Sequence, residues 1–140
     1  MKLIVRPTSH LQGRLTLPAS KSYSIRAFIV AACGGVSIIK KFSRCDDAQV
    51  ALSVARQMGA RISTVNASAV RVMGSKVRKS SVQIHVKESG TVLRLLLPLL
   101  PLITRRGKVT GEGTLVGRPN HHLAAALRAA GVSIRGTGEK

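Results

Sequence analysis

The chain is 140 residues long and carries 23 Lys and Arg against 5 Asp and Glu, a formal net charge of +18. Its 44% hydrophobic content supplies a core and excludes a disordered basic tail, and two cysteines, Cys33 and Cys45, are too few for a disulfide scaffold, so one domain is the expectation at this length. The charge points to an anionic partner (nucleic acid, acidic lipid or a phosphorylated metabolite), but with Tyr23, Phe28 and Phe42 as the only aromatics, stacking on single-stranded nucleic acid is disfavoured.

Leu3–Val5 reads as a short strand ended by Pro7, and Arg14–Leu17 alternates as a second strand stopped by Pro18. Ser20 caps a helix running to Cys33, with Ala27–Ala32 as its buried part; Gly34 and Gly35 end it, and Val36–Ile39 is a strand. Asp46 or Asp47 is the N-cap of the next helix, whose apolar positions Val50, Ala51, Val54, Ala55 and Met58 keep helical spacing up to a stop at Gly59. Strands follow at Arg61–Val65, Val70–Met73 and Val82–Val86. Ser89-Gly90-Thr91 opens a third helix that carries Arg94 and a leucine-rich face, and Pro98 and Pro101 should kink it or end it nearby. Lys108–Thr110 reads as a strand. Arg118-Pro119-Asn120 opens a fourth helix ending at Gly131, and Val132–Ile134 follows as a strand.

The pattern repeats. Ser22–Arg26 before an apolar helix matches Thr91–Arg94 before another, and residues 55–62 align without a gap on residues 127–134. Each unit reads strand, helix, strand, helix, strands. The second stops after its second helix and one strand, so the tail Gly136–Lys140 is expected to be a cut rather than a finished end. The longest apolar run, Val92–Ile103, contains Arg94 and two prolines and is too short to span a bilayer, and the opening Met1–His10 has no signal-peptide pattern. A cytoplasmic location is the expectation, with both cysteines as small core residues.

Two helix starts suit anions, because a helix N-terminus offers free N–H groups and a partial positive charge. At the first, Ser20 and Ser22 add hydroxyls, Lys21 a point charge and Arg26 a bidentate fork. At the second, Gly90 allows close approach of a ligand and Arg94 lies one turn on. Arg118 stands at a third helix start. The competing readings are a capped helix with two surface bases, an ordinary turn before a core helix, and a surface arginine. Asp47 either caps its helix or orients Lys21 or Arg26. His121 and His122, adjacent on a helix, should point apart and form no metal pair. No metal motif, P-loop or nucleophile–base set is found.

Leu17-Pro18-Ala19-Ser20-Lys21-Ser22-Tyr23-Ser24-Ile25-Arg26-Ala27 resembles the first signature of the 5-enolpyruvylshikimate-3-phosphate synthases, the 3-phosphoshikimate 1-carboxyvinyltransferases. Cys45-Asp46-Asp47 with its helix is similar to their Ser-Asp-Asp segment. Glu88-Ser89-Gly90-Thr91-Val92-Leu93-Arg94 resembles their Gly-Thr-x-x-Arg signature, and Leu115-Val116-Gly117-Arg118-Pro119 their Arg-Pro segment. Four motifs in this order cover nearly the whole chain.

The resemblance implies an α/β fold of repeated βαβαββ units, the inside-out α/β barrel of the enolpyruvyl transferases, here incomplete. Residues 1–16 would be the initial strand or strands of an otherwise absent domain, 17–86 the first unit of the other domain and 87–140 a truncated second unit. It implies transfer of the carboxyvinyl group of phosphoenolpyruvate to the 5-hydroxyl of shikimate 3-phosphate, with release of phosphate and with no metal or organic cofactor. By the same resemblance Lys21, Ser22 and Arg26 would hold shikimate 3-phosphate, while Lys21, Gly90 and Arg118 would hold phosphoenolpyruvate. Thr91, Arg94 and Asp47 would support them.

Catalytic acid–base residues are not among these positions, so the isolated chain should be inactive; an incomplete domain that leaves apolar faces such as Leu95–Leu102 uncovered should also be of marginal stability. A separately encoded remainder of the enzyme is a candidate partner; membrane and nucleic acid are not. The sequence departs from the family pattern at Ala19, where glycine is common, at Ile25, where asparagine is, and at Glu88, whose charge would be unfavourable near a phosphate unless paired. The alternatives are a non-catalytic basic module and the enolpyruvyl transferase acting on a UDP-aminosugar. The latter has a cysteine in the loop before its Arg-Pro segment and asparagine after its first lysine; here the loop Gly111–Gly117 has no cysteine and Ser22 follows Lys21.

Overall fold

The computed structural model describes residues 2–136; Met1 and Thr137–Lys140, most of the expected cut tail, lie outside the described residues. The elements run α1 (Lys21–Ala32), β1 (Val36–Lys40), α2 (Asp46–Met58), β2 (Arg61–Asn66), β3 (Ala69–Met73), β4 (Lys79–His85), α3 (Gly90–Ile103), β5 (Thr104–Thr110), a 3-10 turn (Gly113–Leu115) and α4 (His121–Ala129).

Strands β1, β3 and β2 form an antiparallel sheet with β3 in the centre, Val36 facing Met73 and Arg61 facing the same residue from the other side. Strands β4 and β5 pair in parallel, from Lys79 against Thr104 to His85 against Thr110, with α3 as the crossover between them. A single core joins these parts. Ile25 and Phe28 of α1 are buried with Ala51, Val54 and Ala55 of α2, Val72 of β3, Ile84 of β4, and Val92 and Leu96 of α3. The buried alanines 48, 51 and 55 carry little bulk, which suits close packing of α2 on α1. Phe28 is fully buried and meets Phe42 edge to face at 5.3 Å, so two of the three aromatics are spent on packing.

The repeat is visible in backbone hydrogen bonds. At the end of α2, Gly59 has φ 109°, its N–H reaches the Arg56 carbonyl and the Ala60 N–H reaches that of Ala55. At the end of α4, Gly131 has φ 85°, its N–H reaches Arg128 and the Val132 N–H reaches Leu127. Position for position these are the pairs that the ungapped alignment of 55–62 on 127–134 equates, and both close a Schellman stop that favours glycine.

Several expectations are corrected. Leu3–Val5 and Arg14–Leu17 are not strands: residues 2–20 form no regular element. Leu3, Ile4, Val5, Leu11, Leu15 and Leu17 are each at least 76% exposed. A strand needs a ladder partner, and among the described residues neither sheet pairs with this segment. Val132–Ile134 is likewise outside any strand. Helix α3 does end near its prolines as expected, two residues after Pro101, although it passes Pro98. Pro98 lies on the exposed side, and buried Val92, Leu96 and Leu100 hold the other face against the core. Cys33 is exposed at the end of α1, its thiol directed to the Ile29 carbonyl, and is no core residue. His121 and His122 do not point apart: their ring centroids are 4.0 Å from one another. Among the described residues no helix is long and apolar enough to cross a membrane.

Phe28→Ala is expected to cost about 3–5 kcal/mol, the usual loss for a fully buried phenylalanine. Denaturant unfolding of wild type and variant measures it; a loss below about 1 kcal/mol would show that the core can do without this ring.

Candidate anion site at three helix N-termini

The first turns of α1, α2 and α3 meet. Ser20 is the N-cap of α1, its hydroxyl accepting from the Tyr23 N–H, and Lys21 is the first helical residue. Lys21 Nζ lies 2.9 Å from Asp47 Oδ2. Asp47 is not the cap of α2, which is Cys45 with no side-chain cap bond; it sits in the first turn, where a carboxylate also favours the helix dipole. Behind it stands Ser89, the N-cap residue of α3, buried, with an Oγ that closes no hydrogen bond of good geometry. That hydroxyl is nonetheless near enough to Asp47 to be the largest influence holding its carboxyl below the ordinary value.

Arg118 comes to the same place from the 111–120 segment. A side chain at Gly90 would lie 3.2 Å from Arg118 Nη1 and 3.4 Å from Arg94 Nη1, so two guanidinium groups flank the head of α3. Arg94 Nη2 also donates to the Pro119 carbonyl at 3.5 Å. The positive charge of Arg118 bears on Lys21, Asp47 and Glu88 alike. Thr91, half-buried, occupies the first turn of α3.

The structure does not bring every expected residue into this cluster. Arg26 Nη1 donates to the Ser22 carbonyl at 3.1 Å, along its own helix, and Ser22 is exposed on the first turn. Ile25, where the family pattern has asparagine, is buried in the core, and so contributes packing and no polar contact. Ala19 is exposed before a regular N-cap. Glu88 is paired: its Oε2 accepts from the N–H of Thr114 at 3.0 Å and from its hydroxyl at 2.8 Å. Sequence reading missed both the Glu88–Thr114 contact and the Ser89–Asp47 approach; the one signal was the demand that Glu88 find a partner.

Chemically, the arrangement is a shallow cationic surface. Lys21, Arg94 and Arg118 supply charge, and three helix ends add roughly half a unit each. A larger groove of about 640 Å³ lies elsewhere, between the leucines 93, 97 and 100 of α3 and residues 131–136. Its lining mixes these leucines with Arg78, Arg105 and Arg135, and Lys21 and Asp47 are not part of it. Among the described residues no three His, Cys, Asp or Glu side chains gather as a metal site.

The Lys21–Asp47 contact sets a pH dependence. Asp47 is held low by Ser89 first, then by Lys21 and Arg118, against partial burial; Lys21 is held high by the hydrogen bond and charge of Asp47. The lowered carboxyl gives stability that is complete above the ordinary carboxylate value and lost as pH falls through the lowered one. The raised amine gives stability that is complete below the ordinary lysine value and lost as pH rises through the raised one. The pair is therefore intact at neutral pH. Asp47→Asn should flatten the acid side of the profile of melting temperature against pH; an unchanged acid slope would show that the contact carries no linkage.

A family-level sequence profile described as EPSP synthase (3-phosphoshikimate 1-carboxyvinyltransferase) matches residues 5–140. The chain is 35% identical over 133 residues to the 3-phosphoshikimate 1-carboxyvinyltransferase of Methanothermobacter thermautotrophicus, which covers 94% of this chain and 32% of the relative. It is 36% identical over 146 residues to the Methanobrevibacter smithii protein of the same name, covering 99% of this chain and 33% of that one. The solved EPSP synthase from Acinetobacter baumannii superposes with a TM-score of 0.72 at 28% identity, over 91% of this chain and 30% of that structure. The chain thus spans about a third of the length of the relatives it matches. Neither a UDP-aminosugar enzyme nor a non-catalytic module is favoured by these matches. The α/β fold is that of the enolpyruvyl transferases, present in part, and the chain belongs to the EPSP synthase family.

Proposed function

We propose that this chain forms one wall of the substrate site of an enolpyruvyl transferase that moves the carboxyvinyl group of phosphoenolpyruvate to the 5-hydroxyl of shikimate 3-phosphate and releases phosphate. Residues 1–16 belong to one domain; 17–86 and 87–140 are the first and the partial second unit of the other. Lys21, Ser22 and Arg26 hold shikimate 3-phosphate, Lys21, Gly90 and Arg118 hold phosphoenolpyruvate, and Thr91, Arg94 and Asp47 support them. No metal or organic cofactor enters this reading. The acid–base groups come from sequence outside this chain, on the same polypeptide or on a partner.

The supporting observation is the meeting of three helix N-termini, with Arg94 and Arg118 at Gly90 and Lys21 on Asp47. The 5-hydroxyl gives up its proton to a base and its oxygen adds to C2 of phosphoenolpyruvate as C3 gains a proton. Phosphate then leaves from C2 while C3 loses a proton. Two multiply charged anions must therefore be held side by side. Fixed cations and helix ends offset their repulsion without reorganising as the bond forms. Asp47 keeps Lys21 charged and directed, and Ser89 in turn lowers Asp47.

Calorimetric titration of the assembled enzyme tests the assignment. Lys21→Ala should weaken both substrates and Arg118→Ala phosphoenolpyruvate alone, each by about 10- to 100-fold, the scale of a charge-assisted contact. Unchanged affinities in both variants, or a wild type that binds inorganic phosphate as well as shikimate 3-phosphate, would overturn it. Residues 1–140 purified alone should give no turnover, and measurable product from them would contradict the assignment of the acid–base groups to other sequence.

A further inference from the structure

Arg118 is the one cation of the cluster that does not sit on a helix. Its backbone is pinned on both sides: its N–H reaches the Leu115 carbonyl at 3.1 Å, and its carbonyl accepts from Asn120 Nδ2 at 2.9 Å. Its side chain is exposed and would be free to sample many rotamers. Among the described residues the guanidinium has a single hydrogen-bond acceptor, Thr114 Oγ1, 2.9 Å from Nη2.

That oxygen is itself oriented. A threonine hydroxyl has one proton to donate, and here it goes to Glu88 Oε2 at 2.8 Å. Its lone pairs are therefore left for the arginine. The same carboxylate oxygen takes the Thr114 N–H at 3.0 Å, which fixes the residue as well as its hydroxyl. The segment around it is laced to the turn before α3: the Val86 N–H donates to Thr110 and the Glu112 N–H to Lys87. Leu115 is buried and anchors the 3-10 turn. Gly113, at φ 54°, provides the seat, because a Cβ there would overlap the Glu88 carboxylate.

We propose that Glu88 is a positioning residue for Arg118, acting through the Thr114 hydroxyl, and that this relay aims the guanidinium at the head of α3 for phosphoenolpyruvate. The inference rests on the assignment of Arg118 to phosphoenolpyruvate made above. It also gives the departure at Glu88 a role. The carboxylate is drawn to Thr114, whose N–H and hydroxyl hold its carboxyl below the ordinary carboxylate value, with Arg118 adding to the effect. It is thus a charged acceptor at working pH. Two donors in series polarise one another, so the relay is stiffer than either bond alone. Because Thr114 uses one of the five guanidinium N–H groups, the others remain for a ligand. A pre-aimed arginine loses less rotamer freedom on binding.

Two readouts on the assembled enzyme separate this relay from the reading beneath it. The first is the rate at which phenylglyoxal modifies Arg118, followed by peptide mass spectrometry with Arg26 as internal reference. The second is the affinity for phosphoenolpyruvate in the presence of shikimate 3-phosphate. Thr114→Val, which keeps shape and removes the hydroxyl, should speed Arg118 modification several-fold and weaken phosphoenolpyruvate roughly fivefold to tenfold, leaving shikimate 3-phosphate unchanged. Glu88→Ala should do the same, and covers the case in which Thr114→Val fails to fold. Thr114→Ser, which restores the hydroxyl, should stay within about twofold of wild type on both readouts. Unchanged Arg118 reactivity in Glu88→Ala and Thr114→Val would overturn the relay, as would a Thr114→Ser variant as impaired as Thr114→Val. Faster modification with no loss of phosphoenolpyruvate affinity would leave the positioning intact and remove Arg118 from the phosphoenolpyruvate site.

Discussion

The first turns of α1, α2 and α3 are tied together by Asp47. Its carboxylate takes the Lys21 ammonium at 2.9 Å and lies against the Ser89 hydroxyl at the start of α3. Without it, the cations Lys21, Arg94 and Arg118 would gather at three positive helix ends with no carboxylate paired to Lys21, and Glu88 is drawn to Thr114. Like charges at such separations repel, and partial burial strengthens the repulsion. One acid placed among several bases allows them to converge while leaving a net positive surface. An anionic ligand completes the balance. The cluster keeps a net positive character at one defined place, which is a physical description of an anion site more specific than a chain charge of +18.

How much of this could be read from the sequence depended on how local the governing interaction is. α1 and α2 were legible because caps, helical spacing and Gly59 act within a few residues. The repeat was legible because the Schellman stops at Gly59 and Gly131 use the same six-residue hydrogen-bond pattern. Leu3–Val5 and Arg14–Leu17 misled because an alternating pattern states only that a strand is possible; a partner edge elsewhere decides it. Helix α3 ends near its prolines as expected, two residues after Pro101, and passes Pro98 because the buried face of Val92, Leu96 and Leu100 outweighs the loss of a backbone bond there. In the site, Lys21 and Arg118 were marked by motif. Asp47 was open between a cap and a partner for Lys21 or Arg26, and the contact 26 residues away decides for Lys21; Thr114 against Glu88, at the same separation, was not marked, because tertiary contact chooses among several equivalent polar residues.

The excess of base also finds employment that composition could not suggest. Lys79 Nζ donates to the Gln57 carbonyl in the last turn of α2 at 2.7 Å, and Arg78 Nη2 to the Pro101 carbonyl in the last turn of α3 at 3.0 Å. Arg44 reaches the Ala67 carbonyl and Arg128 that of Ile134. With five acids in the chain, cations satisfy backbone acceptors instead of carboxylates. At helix C-termini this is also where the dipole favours them.

The placement matters for the site. The negative ends of α2 and α3 are met by Lys79 and Arg78, adjacent residues where the chain enters β4. The positive ends of the same helices open at Asp47 and Ser89. Capping one end of a dipole with a cation leaves the field at the other end less cancelled, so a surface arginine and lysine far from Lys21 still favour an anion beside Gly90. Screening by salt weakens the effect beyond roughly 10 Å, and α2 and α3, at 13 and 14 residues, are about twice that long. The low-dielectric path through the core, along Val54, Val92 and Leu96, is where it survives. The same packed interior that fixes the three helix heads in register therefore also carries what long-range charge there is, and site and core are one construction.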